Sequence, residues 1–78
     1  MIYTTLDSDE KIITQCKRWE NVPSIAVDFE GEYNLHIYGE HLCLIQIYDR
    51  EGYYIIDPRA NGVTKKGLET FFSLPTEK

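Results

Sequence analysis

Residues 42–49, "LCLIQIYD", are apolar at nearly every position, with Gln46 the polar exception before the closing Asp49. A strand sends alternate side chains to opposite faces, so this run presents apolar groups on both and needs cover on both sides. "IAVDFE" (25–30) and "YYIID" (53–57), the latter stopped by Pro58, read as its neighbouring strands. The turn "REG" joins the last two strands, and Gly52 suits a positive-φ position there. Three consecutive strands connected in this way are antiparallel.

Two helices flank them. In "LDSDEKIITQCKRWEN", Asp7 can cap the helix with Glu10 completing a capping box. Ile12, Ile13, Cys16 and Trp19 then share one helical face. "TKKGLETFFSL" places Leu68, Phe71 and Phe72 on one face, although Gly67 costs such a helix about 1 kcal/mol relative to Ala. Ile2–Thr4 reads as a short edge strand before the first helix. The expected fold is therefore α/β: a three-stranded antiparallel sheet (25–30, 42–49, 53–57) with helices at about 8–20 and 64–74. Two short helices cover little more than one face of that sheet. The 78 residues thus read as part of a larger α/β domain.

Composition narrows the class. A hydrophobic content of 42% with 13% aromatics belongs to a packed chain, not a disordered one. No apolar run approaches the roughly 20 residues of a membrane span, and the N-terminus lacks a signal-peptide pattern, so an intracellular, cytoplasmic protein (or a nuclear one in a eukaryote) without a membrane partner is expected. Cys16 and Cys43 are too few for a metal cluster and lie on a predicted helix face and strand, which suits small buried thiols. The net charge of −5 is uneven: residues 1–40 hold eight acids against three bases, whereas residues 41–78 balance five against five. No basic patch marks these residues as a stand-alone nucleic-acid binder.

The chemistry-bearing feature is the pair Asp28 and Glu30 in the strand "IAVDFE". Carboxylates are costly to desolvate without partners. Two positions apart on a strand, they share a face with Ala26, about 6.6 Å apart at the backbone. Carboxylate oxygens aimed together suit hard divalent cations such as Mg²⁺ or Mn²⁺, and a cation relieves their mutual repulsion. For a bare Asp-x-Glu, a solvated polar face is the ordinary reading.

Context points elsewhere. The order "IYTTLDSDEKIITQCKRW", "IAVDFEGE", "LCLIQIY", "YYIIDP" resembles the start of the ribonuclease D-like 3′–5′ exonucleases, the DEDD family with the RNase H-like fold. The resemblance runs over nearly the whole chain. It implies a two-metal phosphodiesterase acting on the single-stranded 3′ end of RNA or DNA, with two Mg²⁺ or Mn²⁺ ions as cofactors. By the same resemblance Asp28 bridges both ions and Glu30 holds one, and both are catalytic as well as metal-binding. Leu44 and Gln46 match family positions in the next strand, with a packing and orienting role.

The family also needs an Asp in a later helix and an Asp four residues after a Tyr or His. Tyr53 and Asp57 have that spacing, but in a strand they stand about 13 Å apart, and they come too early in the order. Residues 1–78 are accordingly expected to be the N-terminal fragment of one exonuclease domain, inactive alone. A catalytically inactive exonuclease-fold binding or scaffold module is the alternative. The strand at 25–30, lacking a later parallel neighbour, is expected to drive self-association of the fragment. His36 and His41 fit no zinc spacing and read as loop residues; Tyr33 and Tyr38 read as loop aromatics that pack locally, with base stacking as the alternative. Tyr48, Tyr53 and Tyr54 read as cross-strand pairs about the hairpin turn.

Overall fold

Ser8, extended at φ −151° and ψ 157°, opens the first helix by accepting the Lys11 N–H at 3.2 Å. The cap is therefore Ser8 and not Asp7, whose carboxylate instead meets Lys11 Nζ at 2.8 Å. The computed structural model describes residues 2–30 and 44–76 of the chain. Within them the order is β1 (Tyr3–Leu6), α1 (Asp9–Trp19), β2 (Ala26–Glu30), β3 (Leu44–Tyr48), β4 (Tyr53–Ile56) and α2 (Lys65–Phe72). Neither described helix is long and apolar enough to cross a membrane.

The sheet has four strands, not three, in the order β1-β4-β3-β2. The pairs β2·β3 and β3·β4 are antiparallel as expected, while β1 runs parallel to β4, which makes the sheet mixed. The parallel pairing follows from α1, which carries the chain from the end of β1 across the sheet before β2 begins. Pairing runs from Tyr3↔Tyr53 to Leu6↔Ile56, a register that local sequence does not contain.

Register separates the two faces. Leu6, Ile56 and Ile45 line up across the strands with Phe29, and Ile47 sits beside them between Tyr54 and Val27. Leu6, Ile45, Ile47 and Ile56 are buried beneath the helices. From α1 come Ile12, Cys16 and Trp19, and from α2 come Leu68 and Phe71. Trp19 is the keystone, with no exposed surface and edge-on contacts to Tyr54 at 5.2 Å and Phe71 at 6.0 Å between ring centroids. Gln15 takes the buried position expected of Ile13, because the face centred on Ile12, Cys16 and Trp19 follows the i, i+3, i+4, i+7 pattern. Ile13 is half-buried and lines the groove between the helices.

Gly67 is the reason the helices can lie so close. A Cβ there would stand 2.2 Å from Asp9 Oδ1 and 3.2 Å from Asp9 Cα. Asp9 in turn accepts the Thr64 N–H at 2.8 Å and the Thr64 hydroxyl, so the start of α1 is locked onto the cap of α2. Its carboxyl is held below the ordinary range, first by that hydroxyl and then by the Thr64 N–H. At the other end of α1, Thr76 donates its hydroxyl to the Trp19 carbonyl at 2.6 Å.

Between β3 and β4 the positive φ falls on Arg50, at 77°, and not on Gly52. Asp49 explains this. Its Oδ1 accepts the N–H groups of Glu51 and Gly52 at 2.9 and 2.8 Å, which folds the chain around the side chain. Asp57 ends β4 as a turn residue, accepting the Arg59 N–H at 3.0 Å.

Candidate functional site

The sheet face turned away from the helices carries the candidate site. Two rows of Cα partners cross it: Tyr3, Tyr53, Tyr48 and Ala26, and Thr5, Ile55, Gln46 and Asp28. Asp28 sits exposed in the middle of β2, which forms one edge of the described sheet. Glu30 ends the same strand, opposite Leu44. Asp28 is thus kept out of the apolar layer by strand alternation alone: Ile25 before it is buried, and Val27 packs against the core. An acid in an apolar strand is tolerated here because its face is open to water.

Beside Asp28 is a shallow groove of about 210 Å³, lined by Tyr3, Ala26, Asp28, Gln46, Tyr48 and Tyr53. Ala26 leaves its floor low. One wall is aromatic, since the Tyr48 and Tyr53 rings stack at 4.7 Å and Tyr3 meets Tyr53 edge-on at 5.7 Å. Tyr48 and Tyr53 are the cross-strand pair foreseen in the sequence. Tyr54 goes to the opposite face and packs on Trp19. The addition of Tyr3 to the row was not foreseen; the signal for it was the alternation in "IYTT", which becomes useful once β1 is known to pair with β4.

Asp28 and Glu30 supply oxygen donors, the chemistry that a hard cation takes, and so suit part of a Mg²⁺ or Mn²⁺ shell. Among the described residues no group of three or more His, Cys, Asp or Glu could hold a metal ion, so these residues offer only part of a ligand set. Tyr53 to Ile56 is extended, so Tyr53 and Asp57 do not form the helical Tyr-x-x-x-Asp arrangement. His36, His41, Tyr33, Tyr38 and Cys43 lie outside the described residues.

The sequence model of a family described as 3′–5′ exonuclease matches residues 3–78. The chain belongs to that 3′–5′ exonuclease family. The fold agrees: it is similar to the crystal structure of Escherichia coli RNase D, described as an exoribonuclease involved in structured RNA processing, with a TM-score of 0.67 and 30% identity. That match covers 91% of this chain and 18% of the RNase D chain. No curated protein sequence matches the chain. The α/β architecture and the exonuclease membership expected from the ordered motifs therefore stand, with the fourth strand as the correction to the sheet.

Proposed function

We propose that these residues are the N-terminal part of a metal-dependent 3′–5′ exonuclease domain in which Asp28 and Glu30 are the first two metal-binding carboxylates. The observation that carries this reading is the placement of Asp28. It is exposed in the middle of β2, on the face opposite the helices, in a chain that the exonuclease family matches from residue 3 to its end. The substrate is the single-stranded 3′ end of RNA or DNA, and the likeness to RNase D favours RNA.

Two bound Mg²⁺ or Mn²⁺ ions would supply an activated water and stabilise the leaving oxygen in phosphodiester cleavage. The chain's own part is to hold Asp28 and Glu30 on one rigid strand. β2 is paired along its whole length to β3, which is paired in turn to β4, so the backbone beneath the acids is fixed before any cation arrives. The remaining ligands belong to residues outside the 78, which is why the chain alone is inactive. The surface that grips the nucleic-acid backbone belongs there too, consistent with the charge of −5 on this part.

The test is a trimming assay on 3′-labelled single-stranded RNA and DNA in Mn²⁺. The 78-residue chain leaves both intact, and the longer protein shortens at least one from the 3′ end. In the longer protein Asp28→Asn and Glu30→Gln each lower turnover by roughly 10³-fold, the equivalent of about 4 kcal/mol of lost transition-state stabilisation. Near-normal turnover of either variant at saturating metal would show that acid to be structural. A longer protein that folds and trims nothing would support the inactive binding module instead.

A further inference from the structure

β2 ends the described sheet, so its outer edge offers backbone N–H and C=O groups to a further strand. The two faces beside that edge differ in chemistry. Toward the helices, Phe29 is 40% exposed and stacks on Phe72, itself 50% exposed, with ring centroids 6.3 Å apart. Asp28 and Glu30 flank Phe29 in the strand and by alternation belong to the open face. Among the described residues no three metal-binding side chains come together, so a single copy brings only part of a ligand set. Such an edge is self-complementary. About a two-fold axis at Phe29, a second β2 pairs antiparallel with the first, and Asp28 of each copy stands opposite Glu30 of the other. Opposed Cβ atoms then lie about 4.5–5.5 Å apart, and same-face positions along one strand roughly 6.6 Å apart at the backbone, which gathers four acids on one side of the seam. On the other side Phe29 meets Phe29 of the second copy, with Phe72 outside each, so the same contact covers the exposed aromatic surface. Facing acids oppose this pairing, and the charge of −5 on each copy adds to the repulsion. A divalent cation between the acids reverses it.

We propose that Mg²⁺ or Mn²⁺ drives two-fold association of the 78-residue chain through β2, with Asp28 and Glu30 of both copies as its ligands. The inference rests on the reading of these two acids as cation ligands. In the longer protein the remaining ligands come from the same chain, and a second copy supplies them where those residues are absent. A cation that binds two copies together better than one alone shifts the equilibrium toward the pair by mass action. The edge supplies the backbone bonds, the aromatic seam supplies the apolar contact, and the cation removes the charge that opposes both.

The experiment is sedimentation velocity of the 78-residue chain over a micromolar concentration series, in EDTA and in Mn²⁺. Mn²⁺ binding is followed separately from paramagnetic broadening of the Asp28 backbone amide by NMR. The variants are Asp28→Asn, Glu30→Gln and Phe29→Thr; thermal melting verifies each fold, and Phe29→Val replaces Phe29→Thr should the Thr variant fail to fold. The expected result is a dimer that Mn²⁺ tightens about tenfold, with no larger species. Asp28→Asn and Glu30→Gln each lose the dependence on Mn²⁺, and Phe29→Thr weakens the dimer with and without the ion. If Mn²⁺ broadens the Asp28 amide and leaves the dimer fraction unchanged, the inference falls while the reading of Asp28 as a ligand survives. A tightening of the same size in either acid variant, or a dimer that Phe29→Thr does not weaken, places the contact elsewhere and also overturns the inference. If Mn²⁺ leaves the Asp28 amide unbroadened, the ligand reading falls and takes this inference with it.

Discussion

Asp49 is the side chain whose removal should cost this fold most for its size. Each of its oxygens is committed: Oδ2 accepts Trp19 Nε1–H at 2.9 Å, and Oδ1 accepts the two turn N–H groups of Glu51 and Gly52. Asp49→Ala leaves the Trp19 indole N–H, on a side chain with no exposed surface, without an acceptor. A buried donor so stranded costs about 1–3 kcal/mol, and the charge-assisted bond lost with it lies at the upper end of that range. The Glu51 and Gly52 N–H groups are nearer solvent and recover part of their loss in water. The expected destabilisation is about 3 kcal/mol, which in a domain of this length lowers Tm by roughly 12–24 °C. Asp49→Asn should be little better, at about 2 kcal/mol. Its single amide oxygen cannot serve both sides, so the amide N–H₂ must face either the indole or the turn, donor against donor.

The same contacts set a pH signature. Burial pushes the Asp49 carboxyl up, but the bonds from Trp19, Glu51 and Gly52 together outweigh it and hold the group below its ordinary value of 3.8. A carboxyl depressed in the folded state binds its proton more readily when unfolded. Its stabilisation is therefore complete above about pH 4 and is lost as pH falls through the lower folded value. Melting followed by circular dichroism and Trp19 fluorescence at pH 7 and pH 3 measures both effects. The gap between the unmodified chain and Asp49→Ala should be wide at pH 7 and narrow toward pH 3. A loss below about 0.5 kcal/mol at pH 7, or a gap that does not change with pH, would refute the claim that Asp49 anchors Trp19 as an anion.

Other outcomes follow from the same structure. Gly67→Ala should destabilise the chain by roughly 1–2 kcal/mol despite the better helix propensity of Ala, because the new Cβ meets Asp9; denaturant titration should show the loss shrinking in an Asp9→Ala background. Tyr54 is pushed up by burial and then by the Asp49 charge, so its share of stability is present below pH 10 and is lost as pH rises through the folded value. Spectrophotometric titration at alkaline pH should show one phenol ionising late, and Asp49→Asn should bring it earlier. β2 lies at an edge of the described sheet and the sheet's open face carries Tyr3, Tyr48 and Tyr53, so the 78-residue chain should self-associate at micromolar concentration. Sedimentation velocity showing a monomer unaffected by concentration would contradict that.

Periodicity alone determined the existence and type of most elements here. The acids on one face of "IAVDFE" and the continuous apolar run of "LCLIQIYD" marked strands, the spacing of Ile12, Cys16 and Trp19 marked a helix, and Pro58 marked the end of β4, because these signals are local properties of the backbone. The ordered motifs likewise pointed to the exonuclease family before any geometry was known, and offered Asp28 and Glu30 as its candidate metal ligands. Tertiary structure decided what depends on residues distant in sequence. The parallel β1·β4 pairing joins Tyr3 to Tyr53, far apart in the chain, and nothing within either segment specifies that register. Gly67, which by propensity weakens a helix, is required because Asp9 occupies the space where its Cβ would be. Ser8 replaced Asp7 as the cap, and Arg50 replaced Gly52 as the positive-φ residue, because side chains that compete for the same backbone N–H groups are ranked by three-dimensional reach. The pairing of Gln46 with Asp28 also belongs to this class: both residues were visible in the sequence, and their adjacency came from strand register.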